Sequence, residues 1–399
     1  MVLSNPPKLF GLFSLHLHHK KFITSACNLF LFVCISLNAT SANALIILQQ
    51  ASATSGVEFD TNPVLSQNNA ESIWRYTFNP RYSLSAVDER NRFFSNAGLN
   101  VVRTTNKNIT ADRQDPNLSL GWDRELERGR FSVVGVYNRT SSRFREFRNT
   151  GFVDNDSTSV SKSLSAIWNH AISEKLDYSL GGNLTKNINS GTIILAPETL
   201  RKTVNSTLTY AFNEYVSPFV QFSYTKFNPN GIGNIASNSK NYIAGLRYAI
   251  NSQLSVSGST GVTDISTGGR GKLINVNVDY LGERYSLSFT AGRNTSPSDI
   301  GQFQESDSIA ANYNYLVSDK SSVGADFSIS KNNASVGNAN INGANIENKN
   351  ARFGGYYARE LTPLLQMRVS VSAQQNKFGN QKANGEIVGL FFTYNTAEF

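Results

Sequence analysis

Apolar residues alternate with small or polar ones along most of this chain, from Val57 to Phe399, in about eighteen short runs. The runs 254–262, 274–280 and 323–330 show the pattern most clearly, since each places apolar residues at every second position. A period of two residues predicts β-strands with one apolar face and one polar face. Soluble β-sandwiches alternate in the same way, so the organisation of the whole chain has to separate them from membrane barrels.

The connections between these runs alternate in length, which is typical of a membrane-spanning barrel with short periplasmic turns and longer extracellular loops. No linker, charge block or proline-rich segment interrupts the series. We therefore predict an all-β fold, a single closed antiparallel transmembrane β-barrel of about eighteen strands. Because the first run, around Val57, is the weakest, a count of about sixteen is the alternative. Two or more soluble β-domains are a second alternative.

The N-terminal segment has the features of an export signal. Lys20 and Lys21 precede the apolar stretch 22–37, and Ala42-Asn43-Ala44 matches the small-x-small pattern of a signal-peptidase site. We expect residues 1–44 to be a signal peptide and residues 45–399 to form the barrel.

Few residues suited to catalysis or metal binding remain after that cleavage. Cys27 and Cys34 both lie in the signal segment, and three of the four histidines do as well. The remaining His170 falls in phase with Trp168 at a predicted turn, where an interfacial position is expected. We therefore predict no catalytic residues, no metal site and no cofactor, and hence no enzymatic activity.

The charge balance does not indicate a nucleic-acid-binding protein. Removing the three lysines of the signal segment lowers the formal net charge from +8 to about +5. The only cluster of basic residues next to an aromatic is 143–148, in a predicted loop. No nucleic-acid partner is expected.

The alternation also predicts which charged side chains face the lumen of the barrel. Ten of them are candidates to line the pore: Arg75, Arg81, Arg201, Arg247, Arg352, Arg368, Asp123, Asp177, Asp279 and Asp326. The excess of arginine predicts a mildly basic wall that favours anionic solutes. On the opposite phase, aromatic residues such as Tyr210, Tyr313 and Tyr394 lie close to short turns, as interfacial girdles require.

Several segments resemble known sequences. "GVEFDTNPVLS", "WRYTFNPRYSLS", "DPNLSLGWDRE", "AGLRYAINSQLSVSGSTGV" and the strand "IVGLFFTYN" are similar to uncharacterised outer-membrane β-barrel proteins of Gram-negative bacteria. That group includes porin-like barrels associated with exopolysaccharide systems. The resemblance implies a location in the outer membrane, among phospholipid and lipopolysaccharide. It also implies either a pore for small polar solutes or, as the alternative, an accessory role in surface-polysaccharide export or assembly.

The C-terminal strand predicts a further partner. Barrels of this kind usually end in an aromatic residue that the barrel-assembly machinery reads, and this chain ends in Phe399. Val388 to Tyr394 alternate on even numbers, whereas Phe399 is odd, so a β-bulge would be needed to bring them into phase.

Overall fold

The structure, a computed structural model, describes residues 45–66, 70–141, 158–190, 198–230, 236–266, 269–297, 303–333 and 347–397. These residues form eighteen β-strands. The strands are β1 Ile46–Asp60, β2 Ile73–Val87, β3 Asn91–Thr104, β4 Arg113–Leu126, β5 Gly129–Ser141, β6 Thr158–Ser173, β7 Leu176–Ser190, β8 Glu198–Tyr210, β9 Val216–Asn230, β10 Ser237–Ala249, β11 Leu254–Ile265, β12 Arg270–Leu281, β13 Tyr285–Pro297, β14 Phe303–Ser318, β15 Ser321–Asn333, β16 Glu347–Thr362, β17 Leu365–Phe378 and β18 Gln381–Asn395. None of the described residues forms a helix long and apolar enough to cross a membrane.

All eighteen strands belong to one antiparallel sheet that closes on itself. Each strand pairs with its neighbours in sequence, and the sheet closes where β1 pairs with β18 on one side and with β2 on the other. Closure removes every sheet edge, which is what a bilayer requires of a β-structure. The prediction of a single closed barrel with eighteen strands is confirmed. The count of sixteen is excluded because β1, the weakest run in the sequence, is a full strand of 15 residues.

Side-chain caps hold several of the short periplasmic turns. The Asp88 carboxylate accepts hydrogen bonds from the backbone N–H groups of Arg90 and Asn91, at 2.8 and 2.6 Å. Asn213 and Asn251 accept two such bonds each in their own turns. These side chains satisfy backbone donors that the strands leave unpaired. The backbone hydrogen bond from Arg90 lowers the pKa of Asp88, so the cap is charged at neutral pH.

Glycines on the inward face make room for large side chains. A Cβ built on Gly121 of β4 would overlap the ring of Phe94, the residue directly opposite on β3. Gly182 of β7 lies on the outward face instead, opposite Val204, and a Cβ there would meet nothing within 4 Å. Gly121 therefore lets the Phe94 ring lie flat over the neighbouring strand, whereas Gly182 has no such packing partner.

We expect Gly121→Ala to lower the free energy of unfolding by about 1–3 kcal/mol, because the Phe94 ring must move out of its position. Gly182→Ala is the matched control and should be neutral or slightly stabilising, since alanine reduces the entropy of the unfolded chain. Urea unfolding of the detergent-refolded protein, followed by tryptophan fluorescence, measures both. Equal effects of the two substitutions would contradict the packing role of Gly121.

Candidate functional site

The strand register places all ten predicted charged residues on the inward face of the barrel. Residues paired across antiparallel strands share a face. Arg247 pairs with Ser257, Asp279 with Ser255 and Asp326 with Asn312, all in the phase opposite to the exposed apolar side chains. Whether all ten line an open pore stays a prediction, because their surroundings differ.

Two inward arginines lie against aromatic rings of the wall. The guanidinium carbon of Arg368 is 3.9 Å from the ring centroid of Tyr356, and that of Arg247 is 5.1 Å from the centroid of Phe219. Both distances are within the range of cation–π attraction. Glycines next to these rings leave the necessary space, because a Cβ on Gly324 would overlap Tyr356 and one on Gly245 would overlap Phe219. The two positive charges are therefore fixed at the wall.

A recess surrounds the Arg368 stack. It has a volume of about 530 Å³, and its lining includes Asp279, Asn312, Asp326, Tyr356 and Arg368. The Tyr356 hydroxyl donates a hydrogen bond of 2.9 Å to the Asn314 side chain, which fixes the ring that supports Arg368. A second recess of about 310 Å³ includes Arg247, Phe219 and Gln221 in its lining. Both are wide enough to hold several water molecules.

The remaining inward charges fall into paired and unpaired groups. Arg352 lies 3.7 Å from Asp326, and Asp123 accepts a hydrogen bond of 2.7 Å from Arg130. Within the described part of the chain, no ion pair is found for the others. These are Arg81, Arg201, Arg247, Arg368, Asp177 and Asp279. This unpaired set contains four arginines and two aspartates, so its net charge is positive.

Arg75 has a different environment, in a buried cluster near the extracellular end. Its Nη2 lies 2.9 Å from Asp60 Oδ2, and its Nε lies 3.3 Å from Glu58 Oε2. The Asp60 side chain is fully buried and that of Arg75 is only 9% exposed. Two carboxylates thus neutralise this arginine, so it adds no free positive charge to the wall.

The turn that follows β1 folds inward over this cluster. The Asn62 side chain donates hydrogen bonds to the carbonyl oxygens of Ser66 and Asn384, at 2.8 and 2.9 Å. The inward face of Gly385 on β18 is covered by this turn, since a Cβ there would lie 3.2 Å from Asn62 O and from Leu65 Cδ2. Sequence alone does not identify which loop narrows the lumen. In the described part of the chain, the segment 61–66 covers part of the inward face of β18 at the extracellular end.

The loop between β3 and β4 is tied to the barrel through Asp112. Its carboxylate accepts a hydrogen bond of 3.0 Å from the backbone N–H of Thr104 and lies 2.9 Å from Lys107 Nζ. The hydrogen bond from Lys107, followed by that from Thr104, holds the pKa of Asp112 below its ordinary value of 3.8. Because this pKa is lower in the folded state than in the unfolded one, the charged carboxylate stabilises the loop above the ordinary pKa.

We expect that stabilisation to be fully present at neutral pH and to disappear as the pH falls below 3.8 through the lowered pKa. Hydrogen exchange at the Thr104 amide, measured between pH 7 and about pH 2.5 and corrected for intrinsic rates, should show protection that declines only at the acidic end. Asp112→Asn is the control and should lose this pH dependence. Unchanged protection in the acidic range would contradict the role of the carboxylate.

Sequence reasoning missed several residues of the wall. Arg130, which pairs with Asp123, and Arg92, which lies 5.5 Å from the Phe94 ring centroid, are both inward-facing. Phe219 and Tyr356, which support the two stacked arginines, were also not identified. Arg92 and Arg130 could have been found from the sequence, because odd and even positions of a strand face opposite sides. Each lies at the start of a strand in which the inward positions are clear. The aromatic supports require the cross-strand register.

The outer surface of the barrel is apolar. Leu164, Val220, Phe353 and Val371 are each more than half exposed, and many other large apolar side chains are exposed on the same face. Such a surface is unfavourable in water and fits the hydrocarbon of a bilayer. Near the periplasmic turns, Trp168 stacks on His170 at 5.4 Å, in keeping with the interfacial position predicted for this histidine. The protein is an outer-membrane β-barrel.

Comparisons with known proteins add only a similarity of fold. No protein family and no curated protein sequence matches the chain. Among solved structures, OpdQ of Pseudomonas aeruginosa is 10% identical with a TM-score of 0.48, over 88% of this chain and 98% of that one. OccAB4 of Acinetobacter baumannii is 8% identical with a TM-score of 0.48, over 90% and 99%. The siderophore receptor PirA of Acinetobacter baumannii is 8% identical with a TM-score of 0.49, over 90% and 81%.

Proposed function

We propose that this barrel is a porin-like channel for the passive passage of small polar solutes, with a preference for anions. The observation that carries the proposal is the inward wall, where Arg247 and Arg368 are fixed on aromatic rings beside recesses that can hold several water molecules. Side chains do not fill the interior of a barrel of this strand number, so it contains water. The inward turn at 61–66 narrows the extracellular end, which limits the size of the solutes.

The anion preference follows from the balance of unpaired charge. Fixed positive charges in a narrow channel with low-dielectric walls raise the local concentration of anions. The unpaired inward charges are mostly arginines, and the arginine nearest the extracellular end, Arg75, is already neutralised by Asp60 and Glu58. Arg247 and Arg368 lie two and three residues from the periplasmic ends of β10 and β17, so we expect selectivity to depend strongly on the periplasmic half of the channel.

Solute uptake by liposomes tests the proposal. Liposomes that contain the refolded mature protein should swell in isosmotic solutions of small polar solutes, faster for a monocarboxylate than for a neutral solute of equal size. Swelling should stop for solutes too large for the lumen. Rates equal to those of empty liposomes, with correctly folded protein present, would contradict the channel. The accessory role in polysaccharide export stays an alternative proposal, and no contact in the described residues favours it.

A further inference from the structure

An arc of lysines follows the outer surface of the barrel near the extracellular boundary of its apolar band. We define the lysine arc as Lys162 on β6, Lys186 on β7, Lys202 on β8, Lys226 on β9, Lys240 on β10 and Lys272 on β12. All six share the outward phase of neighbouring apolar residues, and all except Lys186 are exposed. Lysine side chains at this depth would be costly unless they reached polar groups in the lipid headgroups.

The six lysines lie eight to eleven residues from the periplasmic ends of their strands, which is a narrow range along the membrane normal. Lys186 and Lys226 each stand ten residues from the periplasmic end of their strand, at Leu176 and Val216. For Lys240 and Lys272 the separation is nine residues, to Ala249 and Leu281. Ten residues of a strand tilted by about 40° rise roughly 25 Å, the height of the apolar band in such barrels. The lysines therefore lie at its extracellular edge.

The cross-strand register supports the same conclusion. Lys162 is directly opposite Lys186, and Lys202 is directly opposite Lys226. From β7 to β8 the lysine moves two residues toward the periplasm in the strand register. Lys202 of β8 is opposite Leu184 of β7, whereas Lys186 is opposite Leu200. A shift of this size along tilted strands keeps the side chains at a constant height. The arc is thus a band across β6 to β10 that resumes on β12, and not a set of scattered charges.

The band has few negative charges of its own. Lys186 pairs with Glu198 at 2.7 Å, and Asp264, which is opposite Lys240, pairs instead with Arg270 at 2.8 Å. Among the residues that the structure describes, none of the other five lysines of the arc forms an ion pair. Like charges directly opposite each other destabilise a sheet. An external anion at this level would therefore stabilise the facing Lys202 and Lys226.

We propose that the lysine arc binds the phosphate groups of lipopolysaccharide in the outer leaflet. The glycolipid suits this surface for two reasons. Its phosphates lie at the boundary of the acyl chains, where the lysines lie, and charge-assisted hydrogen bonds to phosphate are strong. Its acyl chains would pack on the exposed apolar residues directly below the arc, such as Leu184, Val204 and Ile274. The proposal concerns the outside of the barrel and does not depend on whether the lumen conducts.

Aromatic residues beside the arc fit the same partner. Lys162 Nζ lies 6.0 Å from the ring centroid of Tyr137, and the rings of Phe222 and Tyr242 pack at 5.3 Å just below Lys226 and Lys240. Aromatic rings favour the boundary between headgroups and acyl chains. Their position confirms the depth that residue counting gives for the arc.

Binding of purified lipid A to the refolded mature protein in a zwitterionic detergent tests the proposal. Lys202→Gln/Lys226→Gln should bind diphosphoryl lipid A at least about tenfold more weakly than the unmodified protein, because two phosphate contacts are lost. The matched control is Lys175→Gln/Lys320→Gln, which removes two lysines at the periplasmic turns and should change the dissociation constant by less than about twofold. Native mass spectrometry gives the bound lipid, and heat-modifiable gel migration confirms that each variant is folded.

The unmodified protein supplies a second test that no folding defect can obscure. It should bind diphosphoryl lipid A more tightly than monophosphoryl lipid A, and both more tightly than phosphatidylglycerol. Equal binding of the two lipid A forms would overturn the proposal, as would equal loss of affinity in the test and control variants. Tighter binding of phosphatidylglycerol would also overturn it, since the band would then be a general anionic-lipid surface.

Discussion

Replacing the two wall-stacked arginines should abolish most of the anion preference of the channel. We expect Arg247→Gln/Arg368→Gln to lower the permeability ratio of chloride to potassium by at least about threefold, because two fixed charges disappear from the periplasmic half of the lumen. Both guanidinium groups lie over aromatic rings, at 5.1 and 3.9 Å, so their charges are held at defined positions. The reversal potential under a salt gradient measures the ratio.

A matched variant controls for the loss of net charge. Arg284→Gln/Arg359→Gln also removes two arginines, but Arg284 lies in a periplasmic turn and Arg359 is opposite Ser321 on the outward face. Its selectivity should stay within experimental error of the unmodified protein. If both double variants changed the reversal potential equally, the selectivity would come from overall charge and not from the stacked arginines.

Breaking the buried ion cluster should cause the largest loss of stability. Asp60→Asn removes a fully buried carboxylate that lies 2.9 Å from Arg75. Among the described residues, Glu58 at 3.3 Å is then the one charged partner left to that guanidinium. We expect the free energy of unfolding to fall by about 3 kcal/mol, since removing one partner of a buried pair leaves an under-compensated charge. Urea unfolding in detergent measures the change.

The double variant Asp60→Leu/Arg75→Leu distinguishes charge from packing. Replacing a buried ion pair with apolar residues of similar volume is often neutral or stabilising. The double variant should therefore be more stable than Asp60→Asn. A double variant less stable than Asp60→Asn would show that shape or hydrogen bonding, rather than charge compensation, holds this end of the barrel together.

The fold could be predicted from the sequence because apolar and polar residues alternate along each strand of a closed membrane barrel. Strand number, inward phase and the positions of the short turns all follow from a period of two. The start of β1 was not predicted, since Ile46–Ala51 alternates poorly and is identified as a strand only by its pairing with β2. That pairing joins residues far apart in the chain, which a local pattern cannot show.

The candidate site could be predicted only in part. Parity places Arg75 and Arg368 on the same inward face, yet one is neutralised in a buried cluster and the other stacks on Tyr356. The difference depends on which side chain lies across the adjacent strand, Asp60 in one case and a glycine-flanked ring in the other. The signal segment, Phe399 and the basic run at 143–148 lie outside the described residues, so those expectations stay predictions.

Single-channel recording of the refolded mature protein in planar lipid bilayers tests the central claim most directly. A water-filled barrel of this strand number predicts stable conductance steps of sub-nanosiemens to nanosiemens order in molar potassium chloride, with an anion-selective reversal potential. Folded protein, shown by heat-modifiable migration, that inserts and gives no steps would contradict the channel. The barrel would then be closed at the end narrowed by residues 61–66, and its function would have to be sought in its loops.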